Sequence, residues 1–260
     1  MYDSGIGGLT TLALLQAKLP GCEYFYLADN ARMPFGTKRK EEIFAAVNSA
    51  RKILDSRADI SVFGCNTASV TVNPENAFKL KPALDGLSPA ATLVTGTPLT
   101  LAGLGAAEKG FMCASTGELA VLTEIQASLR FKSRTRLDMS PLADYIYERL
   151  SPFKGAEAVV LGCSHYVYVR REIRSVIGEK AYYTDGNDTL TDKVRNYAAD
   201  KFGCETADGY DTASPLPRTD FAFTGTDERK KYEWILHELR DGYVRETAEN
   251  KVREPRDVPR

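Results

Sequence analysis

The stretch "AEAVVLGCSHY" (residues 156–166) runs from an apolar, β-prone segment into a Gly-Cys pair and then into short polar side chains. "DISVFGCNTAS" (59–69) repeats the arrangement around Cys65. A short apolar run bounded by glycine reads as a buried strand of a parallel sheet. In open α/β sheets the loops at the strand C-termini carry the ligand site. Both cysteines stand at that position. A soluble protein gains little stability from such an arrangement, and this chain builds it twice.

The rest of the chain fits the same frame. Apolar, β-prone runs recur at "EYFYLAD" (23–29), "ATLVTG" (91–96), "KGFMCA" (109–114), "KAYYTD" (180–185) and "TDFAFTG" (219–225). Helix-like stretches separate them, among them "LTTLALLQAKL", "RKEEIFAAVNSARKILDSR", "GELAVLTEIQASL", "YVRREIRSVIG" and "LTDKVRNYAADKFG", the last closed by Gly203. Strands alternating with helices read as βαβ units. "YDSGIGGLTTL" and "LVTGTPLTLAGL" (93–104) share a design of polar turn followed by helix, at nearly the interval that separates the two cysteines. The expected fold is α/β, with two similar domains that each have a mainly parallel sheet flanked by helices, and the active site between them. The boundaries expected are 1–90 for the first domain, with part of 205–260 packing back on it, and 91–204 for the second. A loop is expected before the last strand, in "DTASPLPRTDF", and "ENKVREPRDVPR" at the C-terminus is expected to fray.

Composition narrows the function. Of 260 residues 43% are hydrophobic, enough for real cores, and 34 basic against 35 acidic residues offer nothing to attract a nucleic acid. No apolar run approaches the roughly 20 residues that span a bilayer. "MYDSGIGG" lacks a basic segment and an apolar signal core, so a cytoplasmic protein is expected. The five cysteines are scattered with no CxxC pair, and there are two histidines, which argues against both a zinc site and a disulfide framework. Cys22, Cys113 and Cys204 read as inert thiols, His237 as part of an amphipathic helix and Trp234 as packing.

Cys65 and Cys163 read differently. A free thiol has a pKa of about 8.5, which helix N-termini and positive groups lower. A helix starting at Asn66 or Thr67 would favour the thiolate of Cys65, and one starting at Ser164 that of Cys163. His165 is a partner acid or base for Cys163, and Asp3 is one for Cys65 if the first loop lies beside it. A base and a conjugate acid on opposite sides of a substrate remove and return a proton, which inverts a stereocentre. Asp3 can accept from an ammonium group, while Ser4, Asn66, Thr67 and Ser164 can donate to a carboxylate. "SGIGG" and "PFG" let backbone N–H groups approach an anion, but "GIGG" lacks nucleotide-binding spacing.

Five motifs in order, "DSGIGGLTTL", "LADNARMPFGTK", "GCNTAS", "TGTPLTL" and "LGCSHY", with "DGNDTL" after them, resemble those of glutamate racemase, from Asp3 to about Asn187. The resemblance implies two similar α/β domains with the substrate between them and cofactor-independent interconversion of L- and D-glutamate for peptidoglycan. By motif, Cys65 and Cys163 would be the two acid/base thiols, assisted by Asp3 and His165. Asp3, Ser4, Phe35, Gly36, Asn66, Thr67, Ser164 and His165, with Thr97 added, would hold the substrate. The substrate is then a small molecule, with no metal, nucleic acid or membrane involved; homodimer formation is left open.

The chain departs from the family pattern in three places. Only "MY" precedes Asp3, so a first strand is expected to be missing, with an open sheet edge and a poorly fixed Asp3. "VTVNPENAF" is too short for both a helix and a strand, which puts the helix behind Cys65 in question. Phe35 stands where the family usually has Tyr, which removes a hydroxyl contact. Two other readings stay open: a racemase of aspartate or another amino acid, and an inactive homologue with a binding role.

Overall fold

The computed structural model describes residues 1–207, 215–245 and 247; the C-terminal "ENKVREPRDVPR" stretch lies outside them, as do 211–214 of the expected loop. Among the described residues nine strands make two sheets in which each pairing is parallel. The first sheet has the order β4-β3-β1-β2-β9. Its members are β1 (Tyr2–Asp3), β2 (Tyr24–Ala28), β3 (Val62–Phe63), β4 (Phe78–Lys79) and β9 (Thr219–Phe223). The second, β6-β5-β7-β8, uses β5 (Thr92–Gly96), β6 (Met112–Ser115), β7 (Ala158–Gly162) and β8 (Tyr182–Thr184). The α/β class expected from the alternation is the class observed.

The two sheets are built alike around the cysteines. β1 leads into a glycine-rich turn and helix α1 (Leu9–Lys18), and its neighbour β3 is followed, after Gly64, by Cys65. Helices α2 (Lys40–Asp55) and α3 (Asn66–Thr71) lie before β5, and β5 leads through Thr97 directly into helix α4 (Pro98–Leu104). Its neighbour β7 is followed directly by Cys163, with Gly96 opposite Gly162 at the strand ends. In each half, therefore, the cysteine-bearing strand lies beside the strand that carries the polar turn.

Two expectations need correcting. The strand before Asp3 is present, although two residues long, and it lies between β2 and β3 rather than at an edge. Two residues suffice because the neighbours supply the ladder: Leu27 N–H donates to Met1 O, Asp29 N–H to Asp3 O, and Gly64 N–H to Tyr2 O. The path after Cys65 holds both a helix and a strand, because α3 is six residues long and β4 only two.

The remaining helices are α5 (Glu118–Ser133), α6 (Ala143–Leu150), α7 (Arg170–Ile177), α8 (Asn187–Phe202) and α9 (Arg229–Leu239). α8 stops at Gly203, in the left-handed conformation that glycine adopts without a Cβ clash, as the sequence predicts. All ten residues of α1 are buried, the polar Thr10, Thr11, Gln16 and Lys18 included, because α8 and α9 cover it. Its one cation, Lys18, is 1% exposed and donates to Asp188 at 2.6 Å, Thr191 at 2.7 Å and Asp192 at 2.8 Å, which ties α1 to α8. No helix of the described residues is long and apolar enough to cross a membrane.

Removing Lys18 takes a buried ammonium from two aspartates that keep about a third of their exposure, Asp192 retaining Arg195 at 3.8 Å. Lys18→Met is expected to destabilise the fold by roughly 2–3 kcal/mol, read from the midpoint of urea unfolding with an unchanged denaturant slope.

Candidate active site

The C-terminal ends of β1, β3, β5 and β7 converge on one buried region. Asp3 is fully buried, and Ser4, Phe35, Cys65, Asn66, Thr67, Thr97, Cys163, Ser164 and His165 are each no more than 6% exposed. The eleventh residue, Gly36, is half-buried, and a Cβ placed on it would sit 2.5 Å from Thr97 Cγ2, so this loop touches the second half. The glycine-rich turn approaches still closer: a Cβ on Gly7 would lie 2.2 Å from Ser164 Oγ and 2.8 Å from His165 Nδ1. Only glycine fits there.

Hydrogen bonds across the halves fix the geometry. Ser164 Oγ donates to Asp3 Oδ2 at 3.1 Å, while Gly5 N–H donates to Asp3 Oδ1 at 2.8 Å. Ser4 Oγ and Cys65 Sγ are 3.8 Å apart, and Cys163 Sγ is 3.9 Å from His165 Nδ1. Tyr168 donates from its hydroxyl to Ile6 O at 2.7 Å. Thr67, Thr97 and Thr100 form a hydroxyl triangle with sides of 3.0 to 3.3 Å. Thr97 also caps α4 by accepting from Thr100 N–H; Ser4, Asn66, Thr67 and Ser164 take no capping position. Asn66 Nδ2 donates to Leu80 O, which leaves its buried Oδ1 without a partner. Phe35 packs 6.3 Å from the Tyr2 ring.

Glu124, in the middle of α5, belongs to the site although no motif marks it. Its Oε1 accepts from Ile6 N–H at 2.7 Å and lies 3.1 Å from His165 Nε2. Burial opposes its charge, but the hydrogen bond and charge of His165, then the charge of Lys231 and the Ile6 N–H, outweigh burial and hold the carboxyl below the usual range. Burial likewise opposes a charged His165, yet its hydrogen bonds to Cys163 and Glu124 and their charges push it well above the usual histidine value. Both shifts favour a protonated His165 beside Cys163.

Cys65 sits in the opposite field. Burial first, then the charge of Asp3, pushes its thiol up, and the Ala68 N–H and Ser4 hydroxyl do not reverse this. The thiolate expected from the helix N-terminus is therefore corrected: α3 does begin behind Cys65, but one short helix does not outweigh desolvation. At Cys163 the backbone enters a 3-10 turn, Ser164–Val167, rather than an α-helix. Cys22, Cys113 and Cys204 are only partly buried and lie elsewhere; burial, then Cys204, pushes Cys22 up to about 12, and burial raises Cys113. Among the described residues no group of three or more His, Cys, Asp or Glu could hold a metal ion.

No family model matches the chain. The glutamate racemase of Vibrio cholerae is 31% identical over 211 residues, covering 75% of this chain and 78% of that protein. The chain belongs to the glutamate racemase family. The glutamate racemase of Halothermothrix orenii is also 31% identical, over 217 residues, with 75% and 83% covered. Among solved structures, glutamate racemase from Thermus thermophilus superimposes with a TM-score of 0.70 at 23% identity over 90% of this chain and 91% of that one. The Francisella tularensis glutamate racemase, in complex with D-glutamate, gives 0.67 at 21% identity, with 90% and 91% covered. At these identities the superpositions establish the shared fold of the racemase family.

Burial pushes Asp3 up to about 6, against the lowering effects of His165, Gly5 N–H and Ser164. Since this exceeds the unfolded aspartate value, the folded chain binds more protons than the unfolded one between about 4 and 6. The contribution of Asp3 to stability is thus lowest above pH 6 and grows as pH falls. Urea unfolding of the wild type relative to Asp3→Asn should show a gap that moves by roughly 2 kcal/mol in favour of the wild type between pH 7 and pH 4. A gap independent of pH contradicts the assignment.

Proposed function

We propose that this chain interconverts L- and D-glutamate by passing the α-proton between the thiols of Cys163 and Cys65, and so supplies D-glutamate for peptidoglycan in the cytoplasm. The observation that carries the mechanism is the pairing of opposite fields: an imidazolium, His165, at Cys163 and a buried carboxylate, Asp3, close enough to Cys65 to raise its thiol. A positive donor beside one sulfur and a carboxylate beside the other set the two thiols in different fields, as a relay with one proton acceptor and one proton donor requires. With L- or D-glutamate between them, one sulfur removes the α-proton while the other delivers a proton to the opposite face. The enzyme is then left poised for the reverse reaction.

The α-proton is far less acidic than a thiol, so negative charge developing at the α-carboxylate must be stabilised. The buried hydroxyls of Ser4 and Thr67 can donate to it, and Ser164 can do so by turning its hydroxyl from Asp3 to the substrate; such donors act most strongly where water is excluded. The free Oδ1 of Asn66 and the Asp3 carboxylate are acceptors for the ammonium group. Gly36 and Thr97, with the buried Phe35 ring, close the region between the halves. Phe35 offers no hydroxyl, so binding there rests on backbone and packing. The mechanism uses only side chains and backbone of this chain. The substrate-enclosing domains proposed are 1–90 with part of 205–260, and 91–204; the pairing of β9 with β2 supports the return of the C-terminal segment to the first.

Purified protein with either enantiomer of glutamate should racemise it, and Cys65→Ala and Cys163→Ala should each lower kcat/KM by at least 10³-fold. Circular dichroism follows the reaction. Activity on aspartate but not glutamate would transfer the proposal to another substrate, and full activity in either alanine variant would refute the two-thiol mechanism.

A further inference from the structure

The reaction as drawn makes no use of Lys231, yet that side chain occupies an expensive position. It is 7% exposed, where an ammonium loses its hydration. It also lies in the first turn of α9, where a positive charge opposes the helix dipole. Packing holds it there: Trp234 of α9 meets Phe131 of α5 with ring centroids 5.8 Å apart. Its Nζ donates to Glu228 Oε1 at 2.7 Å and to Ser128 Oγ at 3.3 Å, and stands 3.7 Å from Glu124 Oε2. The other oxygen of Glu124 faces His165, whose far nitrogen faces Cys163. One continuous line of charged groups therefore runs from Glu228, at 31% exposure, to a proposed acid/base thiol.

We propose that Lys231 is a positioning residue for the Cys163 side of the reaction: its ammonium keeps Glu124 a carboxylate, so that the proton shared by Glu124 and His165 stays on His165. The proposal rests on the racemase reading for its kinetic consequence alone. Two arrangements hold the same single proton, carboxylate with imidazolium or carboxylic acid with neutral imidazole. A buried setting favours the uncharged pair. A cation against the carboxylate oxygen that does not face the imidazole favours the charged pair, because it attracts the nearer carboxylate more than it repels the imidazolium beyond it. The other titratable groups acting on this cluster are Asp3, which also bears on His165, and the phenols of Tyr26, Tyr168 and Tyr232, all pushed well above their usual value by burial and therefore neutral. The ammonium also lies 5.5 Å from the Tyr232 ring centroid.

The test reads His165 directly. The chain has two histidines, and His237 is exposed, so His237→Gln leaves one imidazole signal in protein labelled with nitrogen-15 histidine. At pH 7.5 the parent protein should show both ring nitrogens of His165 at imidazolium shifts. Lys231→Met should show a neutral imidazole at the same pH, with kcat/KM for glutamate down at least tenfold and equally in both directions, as equal energies of the enantiomers require. Lys231→Arg should restore the imidazolium. Lys231→Gln, which keeps hydrogen-bonding capacity toward Ser128 and Glu228 without the charge, is the second variant should the methionine protein not fold, and should behave as Lys231→Met. Glu228→Gln should leave the imidazolium in place. An imidazolium that persists in the folded Met or Gln variant overturns the proposal, as does a neutral His165 in the parent. So does a Glu228→Gln protein that matches Lys231→Met, which would make Lys231 merely a staple of α9. Since the spectrum needs no turnover, an inactive parent protein would sink the racemase reading and leave this test standing.

Discussion

A carboxylate cut off from water must take its hydrogen bonds from the protein, and Asp3 takes one from each half of this molecule. Gly5 N–H reaches it from its own turn, and Ser164 Oγ reaches it from the end of β7. That shared carboxylate, with the Ile6 N–H to Glu124 bond beside it, requires the glycine-rich turn to lie flat against the loop behind Cys163. The absence of a Cβ at Gly7 permits the approach. The two cysteine-bearing strands then end on the same buried region from different sheets.

The electrostatics follow from this placement. The Asp3 carboxylate and the Glu124–His165 pair are all buried, so none is screened by solvent and each acts on the sulfur nearest to it. One thiol faces an imidazolium and the other a carboxylate. Had the site been symmetric, neither sulfur would differ from the other in starting form, and proton transfer across a substrate would have no prepared direction. The asymmetry also ties the site to the C-terminal helix: Lys231, which acts on Glu124, is carried there by the return of the chain through β9 to α9.

Much of this was legible in the sequence where the signal was local. Apolar runs before Gly-Cys marked β3 and β7, Gly203 marked the end of α8, and the five motifs marked residues that the fold brings together. Two residues with no apolar run before them carry no strand signal, so β1 was wrongly expected to be missing; the segment behind Cys65 was judged too short for both helix and strand because neither α3 nor β4 was expected to be so brief. Glu124 and Lys231 were invisible for another reason. Each lies in a helix whose pattern reads as ordinary amphipathic sequence, and their partners are far away in the chain, at Ile6 and His165 for Glu124 and at Ser128 and Glu124 for Lys231. The Cys65 thiolate failed because desolvation is a property of the packed site, and a helix start read from sequence says nothing about how dry the thiol will be.

The central claim is that two different monoprotic thiols serve the two faces of one α-carbon. The most direct test is the early time course of racemisation of L-glutamate in heavy water, with deuterium at the α-carbon followed separately in the residual L- and newly formed D-enantiomer. The two-thiol account predicts deuterium in D-glutamate from the first turnovers and none in the remaining L-glutamate. Equal deuterium in both enantiomers from the outset would mean that one base serves both faces, and would contradict it.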